Sequence, residues 1–179
     1  QIGTRAEAEI AGNGGDHDAA ISALGGVQRI SYGDRGVTEA TSIGADDLPT
    51  QIMDSAAVLW TGDTASTPTS IRRISRTMST HRPLIAKMAS LANELYLELH
   101  THGLSSMSLE LIAENQTVKA EILAGGYGRR VNHAANASTG HPRAFTAILP
   151  GAKLGSTLWV LSTSGTLARE VIKELADAF

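Results

Sequence analysis

Cysteine is absent from the 179 residues. That excludes disulfides, thiolate zinc sites, iron–sulfur clusters and a cysteine nucleophile together, and it suits a reducing, cytoplasmic setting. No apolar run approaches the ~20 residues that span a bilayer. The opening Gln1-Ile2-Gly3-Thr4-Arg5-Ala6-Glu7 lacks the basic and apolar regions of a signal peptide. No membrane partner is expected. Neither charge sign dominates: 15 Lys and Arg face 18 Asp and Glu, for a net charge of −3. Without a basic field, nucleic acid is not an expected partner. No period of 20–50 residues repeats, which argues against a solenoid.

What is present reads as a globular chain. Hydrophobic residues make up 42% and charged residues 18%, values that exclude disorder and a coiled coil. At this length a core can form without staples. Gly25-Gly26 ends a short helix over 16–24, because only glycine enters the left-handed region freely. Val27 to Tyr32 alternates as a strand. Gly33-Asp34-Arg35-Gly36 is turn chemistry, and Val37 to Ser42 returns. Ala56 to Trp60 is a short strand closed by Thr61-Gly62-Asp63.

The middle of the chain is helical. Ser66 or Thr67 caps a helix whose apolar stripe is Ile71, Ile74 and Met78. Pro83 opens a second, with Leu84, Met88, Leu91, Leu95 and Leu99 on one face, and Gly103 breaks it. Ser105 or Ser106 caps a third, with Met107, Leu111, Val118 and Ile122 expected inward. Strands over Arg143–Leu149 and Thr157–Ser162 flank a glycine-bearing connection, and a last helix spans about Thr166–Ala178. The expected fold is α+β, a mostly antiparallel sheet packed against a helical block.

Three segments hold residues suited to chemistry. In Gly12-Asn13-Gly14-Gly15-Asp16-His17-Asp18, carboxylates follow a glycine-rich turn at a helix start. Neighbouring amides can hold their charge, and one can take a proton from a hydroxyl. The same residues also fit a helix cap in a surface loop. Pro150-Gly151-Ala152-Lys153-Leu154-Gly155-Ser156 offers backbone amides and one lysine to an anion, or serves only as a hairpin connection. It is not a Walker loop, since the lysine precedes the second glycine and a strand follows. Val58 to Ser66 runs from strand to tight turn to capped helix, where side chains at a strand end can hold a ligand or the turn is structural. His100 and His102 lack a partner fixed by spacing, so no metal site is expected. Gly103-Leu104-Ser105-Ser106 lacks the second glycine of a nucleophile elbow, which makes Ser105 a helix cap.

Taken in order, these segments resemble the GHMP superfamily of small-molecule kinases. Asp18 stands seven residues before the first of two glycines, Gly25-Gly26, as an aspartate does in many members. Leu59-Trp60-Thr61-Gly62 with its Ser/Thr-rich helix start is similar to the next landmark, especially in the heptose-phosphate branch. The helices near 83–102 and 105–123, and the stretch Leu149 to Leu161, are similar to that family's C-terminal half. The resemblance implies 1–45 as the end of an N-terminal kinase domain and 46–179 as a C-terminal-like domain. It implies phosphorylation of a hydroxyl on a small sugar or sugar phosphate, with ATP as donor and Asp18 as catalytic carboxylate. Gly15, Asp16, His17, Thr61 and Gly62 would line the acceptor side, and Gly151, Lys153 and Gly155 the phosphate side. A mevalonate- or homoserine-type acceptor is an alternative, and so is a non-catalytic ligand-binding domain.

Departures from the family pattern are definite. Lys153 stands where a glycine is usual, and Asp16 is a second candidate base. No Gly-Leu-Gly-Ser-Ser-type ATP loop precedes Asp18, and there is no initial Met. The expectation is therefore a C-terminal half. ATP and Mg2+ would be bound mainly by an N-terminal kinase half, and this chain alone would have little activity.

Overall fold

The computed structural model describes residues 23–33, 36–43, 46–62, 80–122, 146–151 and 157–177. They form two small antiparallel sheets and four helices, so the class is α+β. The expected single sheet is instead two.

The first sheet is a hairpin, β1 (Gln28–Gly33) with β2 (Gly36–Ser42). Gly25 and Gly26 enter it at φ 69° and 62°, the left-handed turn expected of that pair. The register shifts between Ser31 and Tyr32, then closes Gly33 against Gly36. Beyond β2 the backbone amide of Ile43 bonds the Val27 carbonyl, at 2.9 Å. A short helix, α1 (Leu48–Asp54), follows with Pro49 in its first turn. Ile43, Leu48 and Leu99 then bury together, joined by Val27, Ile52, Leu95 and Tyr96. Arg29 lies 5.0 Å above the Tyr96 ring and donates to Asn93 at 2.9 Å, which ties the hairpin to the long helix.

That helix is α2 (Arg82–His102), and with α3 (Ser106–Ile122) it makes a helical hairpin. The i, i+4, i+7 spacing of Leu84, Met88 and Leu91 puts them on one side, where they meet Leu111, Val118 and Ile122. Gly103 takes φ 68° at the break, and its amide bonds the Leu99 carbonyl at 3.1 Å. A Cβ there would sit 2.8 Å from Gln51 Oε1. The same oxygen accepts from the Leu104 amide at 3.3 Å, so a side chain here would push the Gln51 amide aside, while the positive φ itself calls for glycine. Ser105 caps α3, accepting from the Ser108 amide at 3.1 Å while Ser108 Oγ accepts from the Ser105 amide at 2.8 Å. Met107 is exposed rather than inward. Ser108 and Leu109 are the buried residues of that first turn, while Leu111, Val118 and Ile122 keep the expected side.

The second sheet has the order β3 (Ala56–Trp60), β5 (Thr157–Ser162), β4 (Thr146–Gly151), each neighbour antiparallel. β3 and β4 therefore run parallel, with β5 between them, a split β–α–β arrangement. β4 continues through Pro150 and Gly151, two residues past the strand end expected from the sequence. The last helix, α4 (Gly165–Ala176), is capped by Ser164, whose Oγ accepts from the Leu167 amide at 3.3 Å.

Alternation decides which face of this sheet is buried. Leu158 and Val160 point to the helical side and bury with Ala168, Val171 and Leu175 of α4. Ala57, Leu59 and Ala120 complete that core, so α3 and α4 cover one face. Each fully buried Leu or Val contributes about 1.5–3 kcal/mol of transfer free energy.

Candidate functional site

The sheet's pairing, rather than any local motif, assembles the candidate site. Thr157, first residue of β5, pairs with Trp60 on one side and with Gly151 on the other. The end of β3 and the end of β4 thus meet at one end of the sheet. Two strand spacings separate them, ~10 Å. Trp60 and Gly151 thus flank Thr157 on its two sides.

Each residue is placed by a local cause. Trp60 is on the outer face and 62% exposed. Thr61, one step further, turns inward and is 2% exposed. Gly62 follows at φ 76°, a backbone state that side chains rarely adopt, so the chain leaves the strand through a glycine. Gly151 closes β4 against Thr157. Asp18, Gly15, Asp16, His17, Lys153 and Gly155 lie outside the described residues.

The described sheet end is uncharged. β3 reads AAVLW, β4 TAILPG and β5 TLWVLS, without one ionisable side chain. What its outer side offers is the Thr157 hydroxyl and the Trp60 indole, since Thr61 is buried. Any charge needed for acid–base work must come from elsewhere in the chain.

The perturbed titratable groups are on the helical hairpin. Ser105 Oγ donates to Glu98 Oε1 at 2.6 Å, and His102 Nδ1 lies 3.1 Å from Glu98 Oε2. The Ser105 hydrogen bond, aided by His102, holds the Glu98 carboxyl below its ordinary value. This trio has the carboxylate in the middle. A nucleophilic triad needs the imidazole in the middle, so the cluster serves the α2–α3 turn. His100 stacks on Tyr96 at 5.9 Å. Lys119 on α3 is pushed below its ordinary value by burial, and no carboxylate among the described residues pairs with it. Neither Glu98 nor Lys119 stands out from the sequence, since their perturbation comes from contacts that no local pattern encodes. A shallow hollow between the helices is lined by Lys87, Glu110, Ala113, Glu114 and Thr117. Lys87 and Glu114 pair across it at 2.7 Å, which leaves a net negative lining unsuited to phosphate. Among the described residues no three His, Asp or Glu stand together as metal ligands, and no helix is long and apolar enough to cross a membrane.

No protein-family model matches the chain, and neither does any curated protein or solved structure.

Proposed function

We propose that the chain forms the acceptor side of an ATP-dependent kinase acting on a hydroxyl of a small sugar or sugar phosphate. One observation carries the reading. Trp60, which leads into the Thr61-Gly62 turn assigned by resemblance to the acceptor, and Gly151, assigned to the phosphate side, share Thr157 as pairing partner. In this reading Asp18 orients the acceptor hydroxyl and takes its proton as the oxygen attacks the γ-phosphorus. The bond from that phosphorus to the ADP oxygen breaks, and the proton passes to solvent. Positioning supplies most of the rate. The described residues do not fit Mg2+; the resemblance places its ligands, with most of those for ATP, in an N-terminal kinase half.

A second reading, a non-catalytic ligand-binding domain, is favoured by the absence of any ionisable side chain in the three strands. Transfer of labelled γ-phosphate separates the two. The acceptor panel is galactose, fucose, mannose, their phosphates, mevalonate and homoserine. The protein is the chain as it stands, and the chain extended upstream of Gln1. Transfer to a sugar in the extended form supports the kinase reading. Transfer to mevalonate or homoserine alone moves the acceptor class. No transfer in either folded form overturns the reading in favour of the binding domain.

A further inference from the structure

The sheet's outer face bears the only two tryptophans of the chain. Trp60 is 62% exposed, Trp159 41% and Val58 48%. The register explains why they share a face: Val58 pairs with Trp159, and Trp60 with Thr157. Trp60 and Trp159 are therefore diagonal neighbours, ~7–8 Å apart at the backbone and within reach of each other's rings. Indoles exposed on a sheet face forfeit burial that the inner face gives Leu158 and Val160. Together they present one apolar patch to solvent.

Its size and charge select the occupant. The exposed parts of the two tryptophans and Val58 amount to roughly 300–350 Å². A stable protein partner needs ~800 Å² on each side. A single ring, or two linked rings, needs only the smaller area. The three strands have no Lys or Arg, so this face cannot track a phosphate backbone or an anionic lipid surface. The negative face of an indole attracts weakly positive C–H groups. A sugar ring presents such groups on one face and keeps its hydroxyls at the rim, where the Thr157 hydroxyl is adjacent.

We propose that Trp60, Trp159 and Val58 form a stacking platform for a neutral carbohydrate ring. The platform needs neither ATP nor Asp18. It goes beyond the phosphotransfer reading and survives if that reading fails.

The two tryptophans are also the whole of the chain's indole fluorescence, so emission reports on this face alone. The probes are the methyl glycosides of glucose, galactose and mannose and their short linked oligomers, with adenosine and uridine beside them, titrated without ATP at low and high salt. The expected result is a saturable change in emission for at least one of them, insensitive to salt. Calorimetry on Trp60→Ala and Trp159→Ala then gives about tenfold weaker binding. Trp159→Phe retains most of the affinity, and Met107→Ala, on the exposed side of α3, retains all of it. Circular dichroism confirms that each variant is folded. Three results overturn the proposal: no emission change with any sugar, a response to adenosine or uridine only, or an emission shift that follows protein concentration with a heavier sedimenting species. Binding without phosphoryl transfer leaves the platform standing and removes only the kinase reading.

Discussion

Replacing Gly165 by alanine tests the junction that holds the second sheet to its helix. Gly165 opens α4 directly after the capping Ser164. A Cβ at this position would fall deep inside van der Waals contact of the Asp54 carbonyl oxygen and 3.3 Å from its carbon. Real Cβ atoms stay beyond 3.0 Å, and the neighbour is backbone, which cannot swing away. Either the start of α4 or the end of α1 must retreat by about 1 Å. Overpacking of this kind costs ~1–3 kcal/mol. Movement there also stretches the bond from the Ser162 amide to the Ser55 carbonyl, 3.0 Å long, worth ~1 kcal/mol. Alanine returns at most ~1 kcal/mol through helix propensity. The net destabilisation is about 2 kcal/mol, which lowers a urea midpoint by about 1 M. Thr166→Ala, at an exposed neighbouring position, is the control and shifts stability by less than ~0.5 kcal/mol. A Gly165→Ala protein that unfolds at the wild-type midpoint or above it refutes the close approach of α4 to Asp54.

Leu158→Ala empties the centre of the α4 core, where Leu158 is fully buried, and costs about 2–5 kcal/mol by chemical denaturation; exposed Leu97→Ala does not. Ser105→Ala removes both the α3 cap and the donor to Glu98, lowering stability by ~1–2 kcal/mol. Glu98 is held below its ordinary 4.5 in the folded state, so its contribution is full above that pH and is lost as pH falls through the folded value. An acid titration of stability should accordingly be shallower in Ser105→Ala than in wild type. Lys119 is held below its ordinary 10.5 by burial, so the folded state disfavours its proton and stability rises with pH towards 10.5. Lys119→Met then gains about 0.5–1 kcal/mol at neutral pH, an advantage that disappears in melts above pH 10.5.

Elements whose signals are local are legible in the sequence. The Gly25-Gly26 turn, the β1–β2 hairpin, Ala56–Trp60, the α2 stripe and the Gly103 break all follow from glycine chemistry and hydrophobic period. Helix α1 went unread although Asp47, Leu48 and Pro49 announce it; at seven residues it has too few apolar positions for a period to emerge. Met107 fits the α3 period but is exposed, because it is the second residue of the helix and the buried contacts with α2 begin with Leu111. In the first turn of α3 the buried apolar residue is Leu109, whereas Leu111, Val118 and Ile122 lie inward as their spacing says. The division into two sheets and the meeting of β3 with β4 across Thr157 depend on pairing between distant segments, and no local pattern states a long-range register. For the same reason the two tryptophans read as separate residues in sequence and as one surface in the fold. The Asp18 segment lies outside the described residues, and its role rests on the sequence resemblance.

The kinase reading stands on Asp18, so the most direct measurement is steady-state phosphoryl transfer to the best sugar acceptor by the extended protein, wild type against Asp18→Asn, with acceptor affinity measured in parallel. The account predicts kcat lower by ~10²–10⁴-fold with acceptor binding retained, as for removal of a positioned base. Equal kcat in the two proteins would contradict it.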